Sequence, residues 1–210
     1  MTLSYERDPE AIYRRSFAEI ADLPGLVAIP EDVCPLATRV VHACGMPDVL
    51  DDLRFSPDVM TVGREVLAGG ADVFCDVKTV RHGIMRRLLP DGTQLHCDVA
   101  APEVADRARR LGMTRSAAQF ELWGERLSGQ IVVIGNAPTA LFRLLELVDE
   151  GLHPPALVLA FPVGFVGAAE SKAELVRHSR DMAFATVRGR RGGSAMAQAA
   201  MNAVAGGLAR

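Results

Sequence analysis

Three times between Ile131 and Arg210 the chain runs from an apolar, β-rich stretch through a tight turn into a helix. The junctions read IVVIGNAPTALFRLLEL, ALVLAFPVGFVGAAESKAEL and AFATVRGRRGGSAMAQAAMNAV. Consecutive units of this kind have few ways to bury themselves. Parallel strands need a long crossover to bring the chain back, and a helix is the usual one. Strands covered on both faces read as unbroken apolar runs, as these do. The pattern predicts an α/β fold: a mostly parallel sheet with helices on both faces. Ligands of such folds bind beyond the carboxyl ends of the strands. The three turns are therefore the first place to seek a site.

At 210 residues the chain suits a single domain, 1–210, and no linker, repeat or low-complexity tract divides it. An apolar fraction of 49% with 5% aromatic residues fits a core of Val, Leu, Ile and Ala. The net charge of -3 gives no reason to expect nucleic acid or an anionic membrane as partner. Basic residues nevertheless crowd one turn, where Arg188, Arg190 and Arg191 fall within four positions. That combination points to a small anionic ligand.

Cys34, Cys44, Cys75 and Cys97 form no CxxC pair, so no zinc site is expected. Free thiols without a signal-peptide pattern point to the cytoplasm. The uncharged stretch from Pro154 to Ala169 is broken by Pro162, Gly164 and Gly167 and is too short to span a bilayer.

Upstream of the three units, a first helix is expected after Asp8, an N-cap followed by Pro9. Tyr13 and Ser16 lie three apart and share one face of it. A second helix is expected from Glu31 to Cys44, closed by Gly45, and a third around Thr61 to Ala68 after a Pro- and Asp-rich connector. ADVFCDV and TQLHCDV read as the first two strands, with RHGIMRRLL as a helix between them. PEVADRARRLG is a helix closed by Gly112, and Thr114 caps the next. The final helix carries no charge from Ser194 to Ala209. Either it is buried on several sides or it meets a second subunit, and a homodimer is the expectation.

Four places could carry chemistry. His42 ends its helix, where it is either a capping or core residue or a general acid–base group; imidazole is the side chain that ordinarily exchanges a proton near neutral pH. Arg115 stands at a helix start, against the dipole, which suits either an exposed cation or a carboxylate ligand. Asn136, in the GNAP turn, reads as ordinary capping or as backbone left open to a ligand. The turn RGRRGGS groups Arg190 and Arg191 with glycines that permit close approach, and Ser194 can cap the helix beyond. No GxGxxG or P-loop occurs, which disfavours a nucleotide site.

IYRRSFAEI, VVHACGMPDVL, LGMTRSAAQFELW, IGNAPTALFRLLEL, PVGFVGAAESKAEL and GRRGGSAMAQAAMNA, in this order, resemble the precorrin-8X methylmutases. The likeness runs from about Tyr5 to Ala205. It implies an isomerase of cobalamin biosynthesis that moves a methyl group from C-11 to C-12 of a tetrapyrrole acid, giving hydrogenobyrinic acid. It also implies a cofactor-free, metal-free homodimer whose partners are the anionic tetrapyrrole and its corrin product. Under it, His42 in HACGM is the active-site histidine, and Tyr13, Ser16 and Arg115 contact substrate. Thr79, Asn136, Arg190, Arg191 and Ser194 complete the expected substrate contacts. Two positions depart from the family pattern: Thr79-Val80 replaces a pair such as Met-Val, and Pro47 replaces a Val. The same shift on a cobalt-containing substrate, or a non-catalytic corrinoid carrier, would share this pattern.

Overall fold

A computed structural model describes residues 3–206. One sheet of six strands runs through it in the order β1-β6-β5-β4-β2-β3. The strands are β1 (Leu53–Phe55), β2 (Val73–Cys75), β3 (Leu95–His96), β4 (Ile131–Ile134), β5 (Leu157–Ala160) and β6 (Ala183–Val187). All neighbours pair in parallel except β1, which lies antiparallel along β6. The strands of the three C-terminal units are β4, β5 and β6, side by side as their sequence pattern requires.

Alternation along each strand supplies two cores. Val73, Ile131, Val133, Leu157, Leu159, Ala183 and Ala185 face one side. Phe74, Val132, Ile134, Val158, Ala160 and Phe184 face the other. Helices α3 (Cys34–Cys44), α4 (Val59–Ala68), α5 (Lys78–Gly83) and α10 (Ser194–Val204) cover the first side, and α1 (Pro9–Ala21) packs outside α3. Helices α7 (Arg115–Trp123), α8 (Pro138–Asp149) and α9 (Ala168–Arg177) cover the second, with α6 (Pro102–Leu111) against α7. A short helix α2 (Pro24–Val27) links α1 to α3.

Local signals hold well. Asp8 accepts from the Glu10 amide at 3.0 Å, Thr114 Oγ1 from the Ala117 amide at 3.2 Å, and Gly45 and Gly112 close their helices in the left-handed region. The second helix begins at Cys34 rather than Glu31. The Pro30 carbonyl takes the amides of Val33 and Cys34 in a turn, and Pro35, without an N–H, then fits the first helical turn. The expected connector hides a strand: after a 3₁₀ turn over Pro47–Asp52, Leu53–Phe55 pairs with β6. RHGIMRRLL splits into the end of α5 and a separate 3₁₀ turn, Arg86–Leu88. The second strand shortens to Leu95–His96.

The uncharged α10 is accounted for within the chain. Eight of its residues, Met196 to Val204 save Gln198, are buried between α3, α5, α4 and strands β4 and β5. Asn202 donates to the Gly83 carbonyl at 3.0 Å and accepts from the Met85 amide at 2.8 Å. Its charge-free surface is core, not an interface, over the residues described; positions 207–209 of that stretch lie outside them.

Candidate active site

Strand order reverses direction at β2, whose neighbours are β3 and β4. The crevice of an open α/β sheet lies at such a point. Its floor is Asp76, fully buried, which follows β2. The Asp76 carboxylate accepts from the amides of Gly135, Asn136 and Ala137, each at 2.9 Å. Burial pushes this carboxyl up from its ordinary range, and the three amides pull the other way. These N–H groups form the entry to α8, where a substrate carboxylate was expected to find backbone donors. They are already spent on Asp76. At the start of α7 one amide, that of Ala117, is likewise taken by Thr114.

What remains exposed there is side chain. Thr79, Asn136, Arg115 and Arg190 are all exposed, and among the described residues neither arginine enters an ion pair. Thr79, Asn136 and Ser194 are brought together by close packing at Gly135. A Cβ there would approach Val80 to 2.5 Å, the Ser194 Cα to 2.8 Å and the Ala197 Cβ to 2.9 Å, so only glycine lets the three elements meet. Arg115 joins from the other side of the sheet, since Thr114 and Thr139 share a 2.7 Å hydroxyl contact. The turn after β6 closes against the loop after β5: Gly193 donates to the Phe161 carbonyl at 2.8 Å, and Gly164 to the Arg190 carbonyl at 3.2 Å. The Arg190 guanidinium lies 5.3 Å from the Phe165 ring centre.

Two expectations for this turn change. Arg191 is not free for a ligand. It binds Asp48 and Asp52, both at 2.6 Å, and those carboxylates, Asp52 first, push its pKa up. The ion pair ties the connector leaving α3 to the turn entering α10. Ser194 is the first residue of α10 rather than its cap. Gly193 holds the cap position at φ 125, and no side chain caps the helix.

Tyr13, Ser16 and His42 form a second group at the carboxyl end of α3. Ser16 Oγ lies 2.9 Å from His42 Nδ1. Phe17 stacks on the imidazole at 5.1 Å, and Tyr13 meets it edge-on at 5.5 Å. The ring is exposed, and among the described residues Nε2 has no partner. Two hollows flank the group. One, of about 320 Å³, is lined by Ser16, His42, Ile20 and Pro47. The other, of about 570 Å³, is lined by Tyr13, Arg39, Arg87 and Arg14.

Arg39 was not legible as a site residue. It stands one turn before His42, is 7% exposed, and its Nε has no partner. A buried guanidinium without a carboxylate is costly unless something anionic arrives. The i, i+3 spacing from His42 was the available signal. No set of three or more His, Cys, Asp or Glu among the described residues could hold a metal ion. None of the described helices is long and apolar enough to cross a membrane.

The chain is thus an α/β protein whose carboxyl-edge loops carry the exposed Arg115 and Arg190, unpaired among the described residues, with an accessible histidine braced by Ser16 and Phe17 at the end of α3. The precorrin-8X methylmutase family pattern matches residues 11–206, and the chain belongs to that family of isomerases. It is 55% identical over 203 residues to a precorrin-8X methylmutase of Pseudomonas aeruginosa, covering 97% of this chain and 98% of the relative. It is 36% identical to a cobalt-precorrin-8 methylmutase of Salmonella typhimurium over 96% and 97%. The crystal structure of a precorrin-8X methylmutase from Thermus thermophilus superposes with a TM-score of 0.83 at 31% identity, covering 93% and 94%.

Proposed function

We propose that the chain converts precorrin-8X to hydrogenobyrinic acid by moving a methyl group from C-11 to C-12, with His42 as general acid. The observation that carries this reading is the Ser16–His42 contact. In the protonated ring both nitrogens are donors: Nδ1–H donates to the Ser16 hydroxyl, and the proton on Nε2, the nitrogen left open, is the one that can be given up. That nitrogen protonates the macrocycle, which makes the receiving carbon electron-poor. The methyl migrates with its bonding pair, and the imidazole recovers the proton. Atoms and charge are conserved, and no external nucleophile enters. Acid catalysis of this kind contributes about 10²–10⁴-fold; holding the macrocycle in one orientation supplies the rest.

Arg115, Arg190 and Arg39 are the cations we assign to the acetate and propionate arms, with Tyr13, Thr79, Asn136 and Ser194 as polar contacts. Arg191 acts at one remove, through its hold on Asp48 and Asp52. The metal-free substrate is favoured over the cobalt form by the identities, 55% against 36%. We read the chain as a cytoplasmic homodimer. Its cysteines are free, which suits a reducing compartment. Phe165 and Val166, both over four-fifths exposed, give a second copy or the macrocycle something apolar to cover.

Mixing the purified protein with precorrin-8X and with its cobalt form, and following absorbance, tests the reading. The conjugation of the ring changes with the shift, so turnover on the metal-free substrate is expected as a colour change. Binding without spectral conversion of either substrate would leave a carrier instead.

A further inference from the structure

We infer that Lys172 is a positioning residue for substrate binding, holding from beneath the turn that presents Arg190 and Ser194. This rests on the reading of that turn as a substrate contact.

Lys172 lies in the second turn of α9, in AAESKAEL, where an amphipathic helix would ordinarily send a lysine to solvent. Instead it is fully buried. Its Nζ reaches across to the main-chain carbonyl of Arg191 at 2.5 Å, nineteen residues on in sequence. That carbonyl belongs to the residue between Arg190 and Gly192, so the bond fixes the middle of the turn. The Arg191 side chain fixes the same point from above, through Asp48 and Asp52. Ammonium and guanidinium thus hold one residue from two sides. Gly192 leaves no slack, because a Cβ there would come within 2.4 Å of the Phe161 carbonyl.

Asp52 attracts the Lys172 ammonium and is itself paired with Arg188 and Arg191, the latter also with Asp48. Glu170 and Glu174 share the helix of Lys172, and Glu174 is taken by Arg177 and Arg180. Burial outweighs Asp52 and brings the lysine down from its ordinary 10.5 to about 8. Above that pH the amine is neutral. A neutral donor holds a carbonyl less strongly than a charged one, and a positive charge near the bound carboxylates is lost. Substrate affinity should therefore have an alkaline limb. Stability has the opposite sign. Between about 8 and 10.5 the unfolded chain keeps a proton that the folded chain has lost, so this group adds stability as pH rises.

The experiment measures the dissociation constant of hydrogenobyrinic acid and thermal stability from pH 6.5 to 9.5 for the wild type, Lys172→Met, Lys172→Arg and Arg190→Ala. Expected are a wild-type affinity that falls about tenfold through pH 8, a Lys172→Met protein weak by about tenfold throughout with no limb, and a Lys172→Arg protein that binds tightly with no limb. A Lys172→Met protein with wild-type affinity, or with the limb intact, overturns the inference. If neither lysine variant folds, the wild type decides: affinity falling while stability rises supports it, and both falling together overturns it. Wild-type binding by Arg190→Ala would sink the reading of the turn itself, a separate failure.

Discussion

In the mechanism we propose, Ser16 Oγ accepts from Nδ1–H of the protonated His42 ring, which makes a hydroxyl on a different helix part of the acid. Removing it leaves the ring free to choose either tautomer and to turn away from Phe17. Ser16→Ala should lower kcat about tenfold, the worth of one hydrogen bond to a charged group, while product affinity changes little. Steady-state kinetics beside a product titration check this. Arg39 presents the converse case. Its unpartnered Nε is a standing cost in the ligand-free chain, so an anion that meets it is bound more tightly than one meeting an exposed arginine. Arg39→Met should raise KM at least tenfold with a smaller change in kcat, and the folded protein should lose no stability in thermal melts.

Helix junctions account for much of what holds these side chains in place. Asp76 spans the reversal point of the sheet, and Asp76→Asn would set an amide N–H₂ against three main-chain N–H donors. A loss of about 1–3 kcal/mol in unfolding free energy is expected, read in urea, together with weaker substrate binding through Asn136. On the other face, Glu121 of α7 lies between Arg107 of α6 and Arg143 of α8. Burial raises its carboxyl, and the two arginines more than reverse this, leaving it below its ordinary 4.5. A depressed carboxyl stabilises the fold above its unfolded pKa and loses that contribution as pH falls through the folded one. Glu121→Gln should therefore flatten the acid limb of stability below about pH 4.5.

Legibility follows sequence distance. Caps at Asp8 and Thr114 and left-handed closures at Gly45 and Gly112 are settled within a turn of chain, and the sequence announces them. Asp76 meets its amides 59 to 61 residues away, and Arg191 meets Asp52 139 residues away. Nothing local marks such partners, so the arginine looked free and the helix entry looked open. Strand β1 escaped for a related reason: three residues have too little alternation to read, and pairing with β6 makes them a strand. His42 stood out through its motif wording, while the contact between Ser16 and His42 required the packing of α1 on α3.

At the scale of the whole molecule, three carboxylates hold loops at the carboxyl end of the sheet. Asp48, Asp52 and Asp76 all serve loops at the carboxyl edge. Arg115, Arg190 and Arg39 enter no ion pair among the described residues, and on the proposed reading they are how a chain of net charge -3 receives a polyanion. Binding should accordingly weaken with salt, modestly for exposed Arg115 and Arg190 and less at buried Arg39. The central claim is that His42 lends and recovers a proton while other groups bind. It is tested most directly by His42→Asn, comparing turnover of precorrin-8X with the dissociation constant of the corrin product. Turnover should fall about 10²–10⁴-fold with product affinity within a few-fold of wild type. Turnover that survives the substitution would contradict it.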